Sequence, residues 1–216
     1  MLKIQSFEFN AFGVNTYVVW DDATLEAAVI DPGMASAADN ALLESFIDEC
    51  QLTVVHLVNT HLHIDHTLGD DFVTNRYGTP LEANDKDEFL GAARDGQARM
   101  FGMRIGSLSP LKIGVRLNEG DRIMIGGEAL DVLEVPGHSP GSLVLYAPSA
   151  DFVITGDVLF RRSIGRTDLP GGNHRQLLEG IFTKLLRLPD NTVVYPGHGP
   201  STTIGQERRM NPMLIQ

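Results

Sequence analysis

The segment Thr53-Val-Val-His-Leu-Val-Asn-Thr60 runs directly into His61-Leu-His63-Ile-Asp65-His66. Its first part is an apolar, β-branched run, which is typical of a strand buried on both faces. In an extended segment, side chains two positions apart point the same way, so His61 and His63 can bind one ion together. If the chain then enters a helix, Asp65 and His66 turn towards a neighbouring position. Histidine and carboxylate ligands suit zinc, iron and similar divalent ions. The segment therefore predicts a metal site at the end of a buried strand.

Three further candidate ligands follow predicted strands elsewhere in the chain. His138 stands in a Gly-His-Ser-Pro-Gly turn, Asp157 ends an apolar run, and His198 lies in Pro-Gly-His-Gly-Pro. Each of them alone is equally typical of a turn, a helix cap or a polar surface. Metal sites are commonly assembled from loops that a rigid scaffold positions. Four such segments in one chain therefore favour a shared metal centre.

Hydrophobic periodicity predicts a mixed α/β chain. The predicted elements are an antiparallel meander over about residues 2–31, a helix over about 37–51, a strand at 53–60, helical stretches near 66–77 and 85–100, strands at 129–135, 142–146 and 152–155, an amphipathic helix spanning 177–186, and a last strand at 192–195. No element is predicted for the Gly- and Pro-punctuated sequence between these helical stretches and residue 129. This order predicts two sheets between helical layers. Because no linker or repeat interrupts it, residues 1–216 are expected to form one domain.

Composition narrows the classes of partner. The 216 residues are 43% hydrophobic and 21% charged, and their formal net charge is −11. A negative surface repels phosphate backbones and anionic headgroups, so neither nucleic acid nor a membrane is an expected partner. The single cysteine cannot form an internal disulfide. With neither a secretory signal nor an apolar run of about 18 residues, a cytoplasmic location is expected.

The ligand pattern resembles that of the metallo-β-lactamase superfamily, whose fold is a four-layer αββα sandwich with metals at the sheet edges. Thr155–Phe160, Ser163–Asp168 and Tyr195–Pro200 are similar to segments of its glyoxalase II-like (hydroxyacylglutathione hydrolase-like) branch, in a compact single-domain form. The resemblance implies a binuclear centre. It implies that one metal is held by His61, His63 and His138, that the other is held by Asp65, His66 and His198, and that Asp157 bridges the two.

The same resemblance implies a reaction. Two divalent ions, with zinc expected first and iron or manganese as alternatives, would lower the pKa of a shared water from about 15.7 towards 7. The implied enzyme is a metal-dependent hydrolase whose metal-bridging hydroxide attacks a small-molecule thioester. The implied substrate is a hydroxyacyl-thiol such as S-lactoylglutathione. Asp65 and Asp157 are the implied catalytic carboxylates, because they neutralise the cations and can take up a proton.

Several polar residues outside this set keep two interpretations. Arg166 and Asp168 lie in a loop that faces the substrate in the glyoxalase II-like branch, where Arg166 could pair with a carboxylate of the thiol carrier. They could equally pair with each other. Asp31, in Ile-Asp-Pro-Gly, either orients a metal ligand from behind or is a plain turn aspartate. His56 is predicted to be a core histidine with its hydrogen bonds satisfied, and His174 a first-turn or surface residue.

Other functions remain as alternatives. A mononuclear-iron persulfide dioxygenase has a similar Gly-Arg-Thr-Asp loop, although the complete second ligand set favours the binuclear hydrolase. A lactonase also fits the ligand pattern. A β-lactamase is disfavoured by Asp157, since members with that function usually lack the bridging aspartate. A non-catalytic metal-binding scaffold is the alternative outside the enzymes, and an unbroken ligand set argues against it.

Overall fold

Two six-stranded β-sheets lie face to face in the computed structural model, which describes residues 1–103 and 105–215. The strands of the first sheet are β1 (Leu2–Phe9), β2 (Val14–Asp21), β3 (Glu26–Ile30), β4 (Thr53–Val58), β5 (Leu81–Ala83) and β6 (Ile113–Arg116). Those of the second sheet are β7 (Arg122–Ile125), β8 (Glu128–Glu134), β9 (Leu143–Ala147), β10 (Phe152–Gly156), β13 (Val193–Pro196) and β14 (Thr202–Thr203). A small ribbon is formed by β11 (Leu159–Phe160) and β12 (Ser163–Ile164).

Helices cover the outer faces of both sheets. The α-helices are α1 (Ala37–Glu49), α2 (Asp70–Tyr77), α3 (Glu88–Ala92), α4 (Arg94–Met100), α5 (His174–Thr183) and α6 (Ile204–Met210). Single 3-10 turns are formed by Ile64–His66, Asp85–Asp87 and Leu185–Arg187. Within the described residues, no helix is long and apolar enough to span a membrane.

The pairing of the strands brings several carboxyl ends to one edge. In the first sheet β1, β2 and β3 are antiparallel, while β3, β4, β5 and β6 pair in parallel. In the second sheet β7 to β10 are antiparallel, and β10 pairs in parallel with β13. Parallel neighbours require crossover connections, which contain α1 before β4 and α5 before β13. The loops that follow β4, β10 and β13 therefore leave the two sheets close to one another.

Apolar side chains that point alternately to the two faces of each sheet form three apolar layers. In β3, Ala28 and Ile30 pack into the core between the sheets, whereas Ala27 and Val29 pack against α1 and its neighbours. The second sheet follows the same rule, and its outer face packs against α5 and α6. Successive side chains of a strand point to opposite faces, so strands covered on both sides are apolar throughout. The predicted αββα sandwich is confirmed.

The structure corrects the predicted elements in two regions. The helical stretch expected near 85–100 is divided into a 3-10 turn, α3 and α4, because Ala93 leaves the helical conformation at φ −99° and ψ 20°. The region left without elements contains β6 and β7, and β5 lies between the two predicted helical stretches. These strands have three or four residues and include Gly114 and Arg116, so they lack the apolar run that identifies a strand from sequence.

Candidate metal centre

The predicted ligands meet where the two sheets end. His61 and His63 follow β4, His138 follows β8, Asp157 follows β10 and His198 follows β13. Asp65 and His66 lie in the 3-10 turn that begins directly after His63. The imidazoles of His61, His63, His66 and His138 are buried. Five elements thus contribute to one centre, although the residues are spread over more than half of the chain.

Three imidazoles form what we call the first cluster: His61, His63 and His138. His63 Nδ1 lies 2.9 Å from His138 Nε2, which lies 3.2 Å from His61 Nε2. Two ligand atoms of a tetrahedral metal with bonds of about 2.0–2.1 Å are separated by about 3.3–3.4 Å. The nitrogen atoms are therefore spaced as the ligands of one ion are. This donor set fits zinc or another divalent transition metal.

Asp65, His66 and His198 form the second cluster. His66 Nε2 lies 3.3 Å from His198 Nε2 and 3.7 Å from Asp65 Oδ2. Asp65 Oδ2 is 3.2 Å from His198 Nε2. The three ligand atoms converge on one point, so this cluster can hold a second ion with a mixed nitrogen and oxygen donor set.

Asp157 lies between the two clusters. Its Oδ2 atom is 3.5 Å from Nε2 of both His138 and His198, which belong to different clusters. Its Oδ1 atom is 3.4 Å from His66 Nε2 and is a buried oxygen with no hydrogen-bond partner. Buried polar atoms are normally hydrogen-bonded or bound to a metal. The unpartnered oxygen and the surrounding imidazoles together fit a pair of metal ions.

Burial lowers the pKa of two first-cluster imidazoles. It lowers the pKa of His61 well below the usual value, and lowers that of His63 to about 3, with the neighbouring imidazoles acting in the same direction. Both rings are therefore neutral and have a free lone pair for a metal. Burial acts in the opposite direction on Asp157, but the adjacent imidazoles, His66 first, outweigh it and lower the pKa. The carboxylate is ionised, as metal binding requires.

Asp31 lies behind His66. The Asp31 side chain is fully buried, and its Oδ2 atom is 3.1 Å from His66 Nδ1, the ring nitrogen opposite the cluster. Thr60 donates its backbone N–H to Asp31 Oδ1 at 2.7 Å and its hydroxyl to Oδ2 at 2.6 Å. Such a carboxylate fixes the tautomer and the orientation of a ligating imidazole. The structure therefore places Asp31 against a predicted ligand and not in an isolated turn.

Backbone oxygens support two other imidazoles. His138 Nδ1 donates to the carbonyl of Arg166 at 2.8 Å, and His198 Nδ1 donates to the carbonyl of Phe12 at 3.0 Å. Sequence reasoning missed these roles, as it missed Thr60, which contacts Asp31 and lies 3.2 Å from His61 Nδ1. The position of Thr60 directly before His61 was a usable signal. A backbone carbonyl carries no signal, since every residue has one.

Gly197 shows why the last ligand segment contains glycine. A Cβ atom on Gly197 would lie 2.8 Å from His66 Cε1 and would overlap Asp157 Oδ1. A side chain here would displace the Asp157 carboxylate and the His66 imidazole. The glycine therefore permits β13 to approach the centre closely.

A cavity of about 180 Å³ opens above both clusters. It is lined by His63, Asp65, His138, Asp157, His198, Phe12, Phe101, Arg166 and Leu169. Arg166 donates from Nε and Nη2 to the two carboxylate oxygens of Asp168, each at 2.7 Å, and both side chains are exposed. The structure thus contains the Arg166–Asp168 ion pair and also brings Arg166 to the cavity. Asp168 is not among the lining residues.

The remaining two histidines lie outside the centre. His56 joins the two sheets, with Nδ1 2.5 Å from Glu82 Oε1 and Nε2 2.8 Å from the carbonyl of Met124. It is half-buried, and its two ring nitrogens are both hydrogen-bonded. His174 is the exposed first residue of α5. Neither reaches the metal clusters.

The sequence of the chain is similar to those of known proteins over most of its length. Residues 9–198 match the family model described as the Metallo-beta-lactamase superfamily. The chain is 36% identical to the hydroxyacylglutathione hydrolase GloC of Haemophilus influenzae, over 99% of this chain and 98% of that relative. It is 39% identical to the probable metallo-hydrolase YqgX of Bacillus subtilis, over 92% of this chain and 90% of the relative.

Solved structures are similar over almost the whole chain. The BLEG-1 B3 metallo-beta-lactamase has a TM-score of 0.88 and 36% identity, covering 99% of this chain and 100% of that one. TTHA1623 in a di-iron-bound form has a TM-score of 0.85 and 34% identity, covering 97% and 100%. ETHE1 from Myxococcus xanthus has a TM-score of 0.76 and 30% identity, covering 97% and 83%.

Proposed function

Because the chain belongs to the metallo-beta-lactamase superfamily, we propose that it is a binuclear thioester hydrolase that acts on a hydroxyacyl-thiol such as S-lactoylglutathione. The observation that carries this proposal is the pair of ligand clusters joined by Asp157 beneath an open cavity. The likeness to a hydroxyacylglutathione hydrolase supports the choice of substrate. The overall reaction adds one water to the thioester and yields a carboxylic acid and a free thiol.

The residues of the centre have separate tasks. A bound pair of divalent ions supplies a water of lowered pKa and polarises the carbonyl of the thioester. The two clusters would each hold one ion, and Asp157 faces both. Asp65 is largely buried but lines the cavity. Its carboxylate is therefore positioned to accept the proton that the water loses. A thiolate leaving group needs little protonation, so no separate general acid is required.

The completeness of the second cluster supports two ions over one. Asp65, His66 and His198 supply three converging ligand atoms, which a mononuclear centre on the first cluster would leave unused. Zinc remains the first expectation, with manganese as an alternative. The similarity to a di-iron-bound structure makes iron the strongest competitor. The proposal includes a small-molecule partner and a cytoplasmic location, and it includes neither nucleic acid nor a membrane surface as partner.

The test combines metal content with turnover. We expect about two metals per chain by elemental analysis and hydrolysis of S-D-lactoylglutathione, followed by the release of the thiol. His138→Ala is expected to lose one of the two metals. Asp65→Asn is expected to lower kcat about 100-fold or more, in the range of lost proton transfer. Asp22→Asn, in an exposed turn, is the matched control and should retain both metals and activity.

Two other functions have specific support and are outcomes of the same experiment. The Gly-Arg-Thr-Asp loop at residues 165–168 is the feature shared with the persulfide dioxygenases. One iron per chain, oxygen uptake with glutathione persulfide and no thioester turnover would replace the hydrolase by that function. The likeness to a structure called a B3 metallo-beta-lactamase supports β-lactam hydrolysis as an alternative, although the presence of Asp157 argues against it. A higher kcat/KM for a β-lactam than for any thioester would establish that alternative.

A further inference from the structure

Three neighbouring cavities share Phe101, the residue that follows α4. The first is the cavity of about 180 Å³ above the metal clusters. The second is a recess of about 30 Å³ beside His63. The third is an outer cavity of about 300 Å³. Since Phe101 lines all three, its side chain determines whether they are separate spaces or one.

The recess beside His63 offers an apolar surface. Leu90, Met100, Leu169 and Pro170 line it together with Phe101. Gln97 also lines it, but its polar atoms are engaged elsewhere. Its Nε2 atom donates to the Leu90 carbonyl at 2.8 Å, and its Oε1 atom accepts from the Ile64 N–H at 3.1 Å. Gln97 therefore adds no free polar group to the lining.

The volume of the recess limits what it can hold. A single water requires about 10–15 Å³ of such space, so the recess of about 30 Å³ has room for roughly two water-sized groups. A methyl or methylene group is of similar size. An acyl group whose carbonyl lies over the metal clusters could therefore place about two further carbons in the recess.

The outer cavity is about ten times larger and is also largely apolar. Its described lining includes Ala35, Met103 and Ile105. Asn10 lines it too, but its Nδ2 atom donates to the Gly33 and Asp65 carbonyls, each at 3.0 Å. Its Oδ1 atom accepts from the backbone N–H of Phe12. This cavity therefore suits an aliphatic chain that is too long for the recess.

Phe12 and Phe101 separate the outer cavity from the metal cavity. Their rings meet edge to face, with centroids 5.7 Å apart and an interplanar angle of 77°. Both residues line both cavities, so the ring pair is the partition between them. Phe12 is additionally held by the hydrogen bond from His198 to its carbonyl. Phe101 has no such tie to a metal ligand, and it alone of the pair also lines the recess.

We propose that Phe101 is a specificity-determining residue that restricts the acyl group to about three or four carbons. This inference rests on the proposed thioester hydrolysis. A short acyl chain occupies the apolar recess, and the Phe101 ring blocks a longer chain from the outer cavity. Replacing the ring by a small side chain joins the recess to the outer cavity. Phe101 selects the acyl group and takes no part in the bond-breaking step.

The test uses metal-loaded protein and a series of S-acyl-N-acetylcysteamine thioesters from propanoyl to octanoyl. For the wild type, kcat/KM is expected to fall at least about tenfold from butanoyl to octanoyl. Phe101→Ala is expected to raise the octanoyl-to-butanoyl ratio at least about tenfold, and Phe101→Leu to give an intermediate ratio. Phe89→Ala is the matched control. Phe89 is an exposed phenylalanine on α3 that lines none of the three cavities, and its loss should leave the ratio unchanged.

A binding measurement separates this inference from the proposed function. Calorimetric titration with butanoate and octanoate reports chain-length selectivity without any turnover. Absence of thioester hydrolysis in the wild type would overturn the proposed function. The wild-type preference for butanoate, and its relief in Phe101→Ala, would still support the role of Phe101. The inference would be overturned if the wild type bound butanoate and octanoate with equal affinity, or if the ratio were unchanged in Phe101→Ala. It would also be overturned if neither carboxylate bound and no thioester were hydrolysed.

Discussion

Replacing Asp31 with asparagine is expected to weaken metal binding at the second cluster about 10- to 100-fold, while the first cluster changes much less. Asp31 Oδ2 lies 3.1 Å from His66 Nδ1, and His66 presents Nε2 to the second cluster. The carboxylate orients the imidazole and raises its basicity, and loss of such a partner typically costs 10- to 100-fold in metal affinity. A hydrogen-bonded link to the first cluster runs through the Thr60 hydroxyl, 3.2 Å from His61 Nδ1.

The expected loss of affinity corresponds to about 1.4–2.7 kcal/mol. The free energy of unfolding should fall as well, because Thr60 donates two hydrogen bonds to Asp31 and the amide retains one acceptor oxygen. A buried donor left without a partner costs about 1–3 kcal/mol. Asp31 has a φ of 50°, which asparagine tolerates, so no further backbone cost is expected. Asp31→Ala loses both acceptors and also incurs a left-handed backbone cost of about 1–2 kcal/mol, so it should be the less stable variant.

The assay is a titration of metal-free protein with Zn²⁺ in competition with a chelator, which yields the affinity of each site. Asp22→Asn, with an exposed carboxylate in the turn between β2 and β3, serves as the control and should bind two ions as the wild type does. Denaturant unfolding of the metal-free variants measures the stability change separately. Unchanged affinities in Asp31→Asn, or an equal loss at both clusters, would refute the role assigned to Asp31.

For three further substitutions, the structure predicts whether metal content, KM or stability rises or falls. Gly197→Ala is expected to reduce the metal content below two per chain, because its Cβ would overlap the carboxylate of Asp157. Arg166→Ala should raise KM for an anionic thioester more than it lowers kcat, with less than about 1 kcal/mol lost from stability, since the ion pair is exposed. His56→Gln should lower the free energy of unfolding more at low pH than at high pH. Burial lowers the pKa of His56, but the Glu82 carboxylate outweighs it, and the net pKa lies above the usual value of about 6.5. Their pairing therefore stabilises fully below about pH 6.5 and is lost as pH rises through the raised pKa, which unfolding curves at pH 6 and pH 9 measure.

The first two changes each have a matched control, and all three have a result that would contradict the expectation. Gly106→Ala places a Cβ in open space and should leave the metal content unchanged, whereas two full metals in Gly197→Ala would show that the close approach is dispensable. Arg175→Ala, on the exposed face of α5, should keep wild-type KM. A drop in kcat alone for Arg166→Ala would place that residue at the reacting atoms. A pH-independent stability difference for His56→Gln would exclude the proposed ion pair.

The candidate ligand residues could be predicted from sequence because they lie in segments that follow strands. The apolar run of β4 ends at the His-x-His-x-Asp-His segment, and Asp157 and His198 end similar runs in the second sheet. Strand length and apolar character are local properties, so the side chains at a strand end can be identified without a structure. Parallel pairing of β10 with β13 then places Asp157 and His198 at the same edge.

The short strands could not be predicted in this way. The four residues of β6, Ile113–Arg116, include only two large apolar side chains, and Gly114 separates them. Such a strand is stabilised by its pairing with β5 and not by its own propensity. The same holds for the break at Ala93, which local helix propensity did not indicate. In both places, tertiary contacts with neighbouring segments override a weak local propensity for a particular secondary structure.

The sequence by itself determined the fold class and the side chains available to bind metal, because both depend on local periodicity and on residue type. Only the tertiary structure decided that His63 faces its cluster through Nδ1 while His61 and His138 use Nε2. It also decided that the Phe12 carbonyl, 186 positions away in the chain, accepts a hydrogen bond from His198, and that Phe101 lines three neighbouring cavities. These features depend on backbone atoms and on the packing of distant segments, which no local pattern of residues encodes.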